Sequence, residues 1–591
     1  MKKYFNKSII LSLILAVGIF HSCETIELEQ VNNPNQLTEA DPDLLLTSIQ
    51  LSYLSAATTF NNVGSQLSRI EYMSGRNYFN RWGSGTFNGA WTNLYANIVP
   101  DLAAIEAIDE ANTDVDLSFH RGISKIMEAH LLMLFVDYIG DIPYSEINQP
   151  DVFPNPSVDS DSAVYAAAIA LLNEATSLLN GATIGTGTDF YYGGDASKWI
   201  KLANTLKMRA DLTTGNYAGV INASNVIESA ADDFAFTYGT NANSPDTRHP
   251  DYAADYRSDG ANIYRSNWLM NNMVGNRGDV TGDDDPRRRY YFYRQVAVTP
   301  GSFTTLLWEA DDNFYNYTGD PNGETLSCSL ETVPSQLEFT PDEDYWCSMR
   351  IGYWGRMHGD DDGIPPDNFT RTAVGVYPAG GNFDDHPDYV ILSADQEELT
   401  GYKNRLALGS GGGGAGIEPI MLSSYVEFMR AEAYLAQGNT TDAVDAFEAG
   451  LTESINKVVS FGSLDGQADT SFAPDQARID EFIDDMVAEF DGAASSTGLD
   501  GFGWPVEKDK MDILGEQYFI AMYGAGADGF NFIRRTGYPR TLARNVEINP
   551  GAFPRTLLYP GNEVSSNPNI NQRTDNSTQV FWDNGTLNPA N

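Results

Sequence analysis

The sequence predicts a mainly α-helical protein: a scaffold of helical hairpins interrupted by one long, loop-rich insert. Apolar residues recur at the 3.6-residue helical period in both halves of the chain. From about Thr240 to Gly416 that period is lost, and Gly, Asp, Tyr, Arg and Pro crowd together. A length of 591 residues exceeds what one core usually spans and leaves room for several packed parts.

Lys2, Lys3 and Lys7 precede an apolar run over residues 9–20, too short to cross a bilayer and of the length of a signal-peptide core. The run ends at Phe20-His21-Ser22-Cys23. A cysteine after a short apolar run and a small residue resembles a bacterial lipoprotein signal, in which the Cys23 thiol is acylated and becomes the new N-terminus. Phe20 and His21 depart from the usual residues before that cysteine, and an ordinary secretory cut nearby is the alternative. Glu24, Glu27 and Glu29, then Asn32-Asn33-Pro34-Asn35, read as an acidic, helix-poor tether. No later stretch approaches 18 consecutive apolar residues.

Helices follow in order. Asp41 suits an N-cap and Pro42 the first helical position, and Leu44, Leu45, Ile49, Leu51 and Leu54 follow at helical spacing. A second helix starts near Trp91, and Pro100 should kink or split it. Further helices are expected over 116–138, with His120 and His130 as core histidines, then over 162–179, 196–210 and 221–231. The insert ends in a glycine run, residues 408–416, that reads as flexible. Beyond it, one helix runs from Ile420 to Gly438, and Thr440 or Thr441 can cap the next. Small residues at Ala433, Ala443 and Gly450 and aromatics at Tyr425, Phe428 and Phe447 give this pair the spacing of a tetratricopeptide unit. Helices over 475–490 and 508–523 come next. The last sixty residues, rich in Pro, Asn and Gly, should wrap the surface. The expected parts are therefore residues 1–22 (signal peptide), 23–40 (tether), 41–240 (N-terminal helices), 241–416 (ligand-binding insert), 417–530 (tetratricopeptide-like helices) and 531–591 (surface segment).

Composition excludes several functions. With 36 basic and 81 acidic residues the net charge is −45, which repels phosphate backbones and excludes nucleic acid as a natural partner. A hydrophobic content of 42% is too high for a disordered acidic chain. Three cysteines cannot build a disulfide scaffold. Cys328 and Cys347 could close one loop, worth about 3 kcal/mol on the chain-entropy argument, or could remain two buried thiols.

No Gly-x-Ser-x-Gly, His-Glu-x-x-His or phosphate-loop pattern is present. With 81 acids, a glycosidase-like carboxylate pair carries no signal. No cofactor is expected. Asp279, Asp283, Asp284 and Asp285, or His358 with Asp360, Asp361 and Asp362, could hold calcium through oxygens or another metal, but an acidic turn in an acidic chain is the simpler reading. Arg287-Arg288-Arg289 reads as a cationic patch or as partners for the aspartates just upstream. Aromatics say more. Tyr78, Phe79 and Trp82 share a loop between helices, and Trp268, Trp308, Tyr345, Trp346, Tyr353 and Trp354 lie in the insert. Aromatic faces stack on sugars or hold peptide side chains at little entropic cost. The expected ligand contacts are Tyr78, Trp82, Trp308, Trp346, Tyr353 and Trp354.

Several segments, in order, resemble the SusD/RagB family of outer-membrane nutrient-binding lipoproteins. These are Tyr138-Ile139-Gly140-Asp141-Ile142-Pro143-Tyr144-Ser145-Glu146, Lys198-Trp199 through Met208-Arg209, the Ala431-Glu432-Ala433 helix ending at Gly438, and Phe532-Ile533-Arg534-Arg535-Thr536-Gly537-Tyr538-Pro539. Pro554-Arg555 with Leu558-Tyr559-Pro560, Glu563 and Asn567 complete the series. Locally these residues read as fold determinants: Lys201, Lys207 and Arg209 are expected outside or at an edge, and Arg534 and Arg535 paired with carboxylates. The insert's Trp354-Gly355-Arg356-Met357-His358-Gly359-Asp360 is similar to a subgroup with peptide-associated as well as glycan-associated members. The resemblance implies tetratricopeptide-like hairpins bearing a loop-rich ligand region. It also implies an outer-membrane location facing the medium, an oligosaccharide or oligopeptide ligand, and a SusC-like TonB-dependent barrel for which the protein is the lid. A surface glycan hydrolase and a purely structural barrel subunit are the alternatives.

Overall fold

The computed structural model describes residues 40–75, 77–112, 114–185, 187–274, 285–296, 309–310, 313–314, 352–360, 367–387, 391–392, 399–400, 402–500 and 503–591. Cys23, Trp308, Cys328, Tyr345, Trp346, Cys347, Asp279, Asp283, Asp284, Asp361 and Asp362 lie outside the described residues.

Long helices form the scaffold. The first five are α1 (Pro42–Leu67), α2 (Val99–Ala111), α3 (Ser118–Ile139), α4 (Asp161–Leu179) and α5 (Ala196–Thr213). At its centre, α3 buries every residue except Ser118 and Arg121. A helix that is apolar nearly all round must be covered on all sides, and α1, α2, α4 and α5 supply that cover. Gly122 marks the closest approach: a Cβ there would sit 2.7 Å from Leu179 Cγ of α4. His130 Nδ1 bonds the Tyr53 hydroxyl at 2.7 Å, and His120 Nε2 bonds Asp43 at 2.8 Å, so both histidines join helices. The Pro100 break takes the form of a π-helical turn, Asn93–Ile98, leading straight into α2. A wide turn absorbs the amide that proline lacks.

The second group comprises α6 (Ser423–Ala436), α7 (Thr440–Ser460), α8 (Gln476–Gly492), α9 (Lys510–Ala521) and α10 (Ala527–Thr536). α6 and α7 pack as an antiparallel hairpin through buried Ala433, Ala443 and Gly450. A Cβ on Gly450 would meet the Phe428 ring at 3.2 Å. Asn439, rather than a threonine, caps α7 by accepting from the Asp442 amide. The groups are joined by a two-stranded antiparallel sheet, β1 (Phe234–Thr237) with β2 (Ile417–Met421).

Four expectations change. Residues 223–231 are not helical: Asn225 is left-handed, and the Thr205 hydroxyl and Asn204 amide take main-chain groups of Ile227 and Asn225. Residues 420–421 belong to β2, because pairing with β1 competes successfully with helix extension. α10 crosses from the expected helical part into the segment 531–591 expected to wrap the surface, and there it is a core helix with Phe532 and Ile533 buried. The glycine run 408–416 is packed rather than flexible, with main-chain bonds to Gly380 and Gly381.

Candidate ligand-binding site

The loop after α1, residues 68–84, is held between pieces of the insert and the C-terminal segment. Its anchor is Arg69, a fully buried residue with a left-handed backbone (φ 64°). Its guanidinium donates to the carbonyls of Ala543 (3.0 Å) and Leu67 (2.7 Å), to the Tyr78 hydroxyl (3.1 Å) and to Asn591 Oδ1 (2.6 Å). The Tyr78 oxygen accepts from Arg69 and is hydrogen-bonded to His358 Nε2, 3.1 Å away. His358 is buried beside the Arg69 guanidinium. Burial, then the Arg69 charge, holds its pKa well below the ordinary histidine value.

A short helix, Tyr78–Arg81, is capped by Asn77 accepting from the Asn80 amide at 2.9 Å. It presents Phe79, 39% exposed, with exposed Asn80 beside it. The Arg81 guanidinium lies 4.6 Å over the Trp82 ring and donates to Gln66 Oε1 at 2.8 Å. Trp82 is 4% exposed, and among the described residues neither its Nε1 nor Arg81 Nε has a hydrogen-bond partner.

Beside this loop the insert contributes a second aromatic cluster. Half-buried Tyr72 meets Tyr264 edge to face at 5.7 Å, and its hydroxyl bonds the Asp360 carbonyl. Tyr264 lies between two guanidinium groups, Arg356 at 4.4 Å and Arg371 at 3.9 Å from the ring centre. Asp367 gathers the Tyr264 hydroxyl (2.7 Å), the Trp354 indole N–H (2.9 Å) and Arg371 Nε (2.8 Å). Burial, then the Asp367 carboxylate, pushes the Tyr264 phenol above its ordinary value.

The aromatic residues expected to touch ligand divide accordingly. Tyr78, Trp82, Tyr353 and Trp354 are all buried. Tyr353 accepts from Arg288 at 2.9 Å and carries Arg288 and Arg294 over its ring, at 5.5 and 5.1 Å. Trp268, also interior, donates to the Thr541 carbonyl at 2.8 Å. Among the described phenylalanines of this loop and the insert, Phe79 and Phe369, the latter 59% exposed, open to solvent. Phe369 was not singled out from the sequence. Its only sequence signal is an apolar ring in the polar turn Asp367-Asn368-Phe369-Thr370.

Beneath the loop lies a buried ionic cluster. Arg265 NH1 is 3.5 Å from Glu71 and 3.6 Å from Asp251, and its NH2 bonds Asp255. Asp255 also accepts the amides of Asn262, Ile263 and Val374. Burial outweighs Arg265 at Glu71 and pushes its carboxyl up. Glu418, bonded by Asn61 at 2.9 Å, is pushed up to about 8 by burial. Of the patterns considered for metal, Asp285 is taken up by Arg287 at 2.5 Å, and His358 by Tyr78. Among the described residues no group of three His, Cys, Asp or Glu side chains is placed to hold a metal.

The family profile SusD-like_2, described as starch-binding and associating with the outer membrane, matches residues 34–324 and 388–560. Solved structures share the fold at low identity. A SusD/RagB family protein from Bacteroides thetaiotaomicron is 18% identical, with 93% of this chain and all of that one covered at a TM-score of 0.60. A SusD homolog from Bacteroides uniformis is 17% identical over 92% of this chain and all of that one, with a TM-score of 0.56. A chitin-binding SusD homolog from Flavobacterium johnsoniae is 15% identical over 92% of this chain and 99% of that one, with a TM-score of 0.55. Among curated proteins, none matches the sequence. With the profile matched over most of its length and the helical fold shared, the chain belongs to the SusD-like family.

Proposed function

We propose that this protein is a cell-surface lipoprotein that captures a neutral oligosaccharide and delivers it to a SusC-like TonB-dependent barrel, over which it acts as the lid. The family match over most of the chain carries this reading, since that family is described as starch-binding at the outer membrane. The chitin-binding homolog among the structural neighbours favours glycan over peptide. Acylated Cys23 would anchor the chain, and the acidic residues after it would hold the folded part off the membrane. The role is binding rather than catalysis.

In this reading Phe79 and Tyr72 offer ring faces at the 68–84 loop, and Trp82, buried beneath the Arg81 guanidinium, supports them from below. Tyr78, Tyr353 and Trp354 act from beneath, fixing the backbone that presents them. Trp308 and Trp346 remain proposed contacts on the insert.

Titration of the purified protein with short neutral oligosaccharides of glucose, N-acetylglucosamine, xylose and mannose tests this. Saturable binding that Phe79→Ala or Trp82→Ala weakens is expected. No binding across the panel would reject the nutrient role. Cys23→Ser should release the protein from membranes; retention in a strain lacking the barrel would reject the lipid anchor.

A further inference from the structure

We infer that the insert carries a second sugar-binding cleft, walled by the main chain of the glycine run, which takes a neutral, hydroxyl-rich ligand. The cleft has a volume of about 350 Å3 and is lined by Thr240, Ala242, Arg248, Tyr252, Leu408 and four glycines of the run. That lies near the lower end of small-molecule sites and suits about one or two sugar rings.

Its wall is preformed. The Tyr252 hydroxyl accepts from the Gly409 amide at 3.0 Å and donates to the Ser410 carbonyl at 2.9 Å. The Tyr252 ring stacks on Tyr256 at 4.2 Å. The Gly412 amide bonds the Gly381 carbonyl, the Gly414 amide bonds that of Gly380, and the His249 amide bonds that of Gly414. A Cβ on Gly414 would meet Arg248 Cβ at 2.8 Å and Tyr252 Cδ1 at 2.9 Å, so that side of the loop is pressed onto the protein. Gly409 and Gly413 differ. A Cβ on Gly409 would meet nothing, and one on Gly413 only Thr240 at 3.4 Å.

The chemistry of the wall selects the ligand. Ser410, Gly412 and Gly414 spend their carbonyls on internal hydrogen bonds. Among the described residues, none bonds the carbonyls of the alternating Gly409, Gly411 and Gly413, or the Gly411 amide. The amides of the lining residues Thr240, Ala242 and Leu408 likewise have no partner among the described residues, so the wall offers both acceptors and donors, as a hydroxyl-rich ligand requires. Charge is cancelled: Arg248 is held by Asp246 through two hydrogen bonds, at 3.0 and 2.7 Å. Leu408, 67% exposed, gives the rim an apolar surface for C–H faces of a ring. A polar cleft whose one cation is already paired, with one aliphatic edge, fits a neutral sugar better than an anionic one.

This inference rests on the glycan reading above, and the test separates the two. Thr240 and Ala242 are exposed rim residues, so Thr240→Trp and Ala242→Trp fill the cleft without touching the core or the 68–84 loop. Each should weaken the best binder of the oligosaccharide panel about tenfold or more, with unchanged circular dichroism and melting temperature. Unchanged affinity in both variants, while the parent protein still binds, overturns the cleft and leaves the glycan role standing. No binding by the parent rejects the role and the cleft together. Calcium that binds the parent but neither variant, with sugar affinity unaltered, would reassign the free carbonyls to a cation and overturn the proposal.

Discussion

The helical scaffold and the insert are built on different physics. In the scaffold, α3 is buried on all sides, chiefly through apolar side chains, and Phe447 stacks on Phe490 at 4.2 Å between α7 and α8. In the insert, Arg265, Arg287, Arg288 and Arg294 are among the largest fully buried side chains; some of its apolar residues, such as Trp268, Tyr291 and Tyr377, join the main core, and others form small satellite clusters. Arg294 meets Asp384 at 2.7 Å with both side chains fully buried, and Asp384 also takes His386 Nδ1 at 2.7 Å. Burial works against the Asp384 carboxylate, but Arg294 and His386 overcome it and hold its pKa far below the usual range. Apolar packing tolerates partial loss, whereas a buried ion pair is safe only while complete. Among the described residues of the insert, irregular chain is thus tied together by paired charges rather than by a long helix or a broad sheet.

The sharpest way to break this contrast is Asp384→Ala. Removing the buried carboxylate that Arg294 and His386 share should cost about 3–5 kcal/mol in urea unfolding. Adding Arg294→Met to an Asp384→Leu chain should restore most of the loss. Failure of that rescue would mean that packing, not charge pairing, dominates the insert.

In the scaffold, Leu132→Ala at the centre of α3 should cost about 2–5 kcal/mol through the cavity it leaves. No second polar substitution should recover it. Trp354→Phe keeps the ring but removes the indole donor to Asp367, at about 1.5–3 kcal/mol for a hydrogen bond to a charged group. A thermal melt reads this directly, and a loss of sugar binding with stability intact would place Trp354 against ligand instead.

The mildest effect is in pH, because two sets of groups oppose each other. Glu418, at about 8, and Glu128, at about 7, bind protons in the folded chain that the unfolded chain releases near 4.5. Their contribution is whole at low pH and is lost as pH rises toward 8. His130, held down to about 3, and His249, to about 4, are neutral when folded but charge near 6.5 when unfolded. Their contribution is whole above about 6.5 and is lost as pH falls. The two slopes cancel between about 4.5 and 6.5, so melting temperature should be flat there and decline toward pH 8. Glu418→Gln should flatten that decline; a decline unaltered by the substitution would remove Glu418 as its source.

The legible part of the fold was the part governed by near neighbours. Proline at the start of α1, glycine after α6 and apolar spacing along α3 act within a turn or two, so period and capping located most helices to within a few residues. Side-chain placement was not legible. Arg209 reads as an edge residue by helical phase, yet it is buried because Asp137 and Asp528 converge on it from far along the chain. Arg535 does pair with a carboxylate, Glu432, but Arg534 is packed between the Phe530 and Trp582 rings.

The same limit applies to the site. Sequence alone located an aromatic-rich loop and an aromatic-rich insert, together with the order of motifs that marks the family. Only the tertiary structure decided that Tyr78, Trp82, Tyr353 and Trp354 lie inside while Phe79 and Phe369 face out, and that a glycine run resembling a linker is a fixed wall. Period and capping are properties of residues a few positions apart. Burial, charge pairing and main-chain satisfaction depend on partners that only folding brings together.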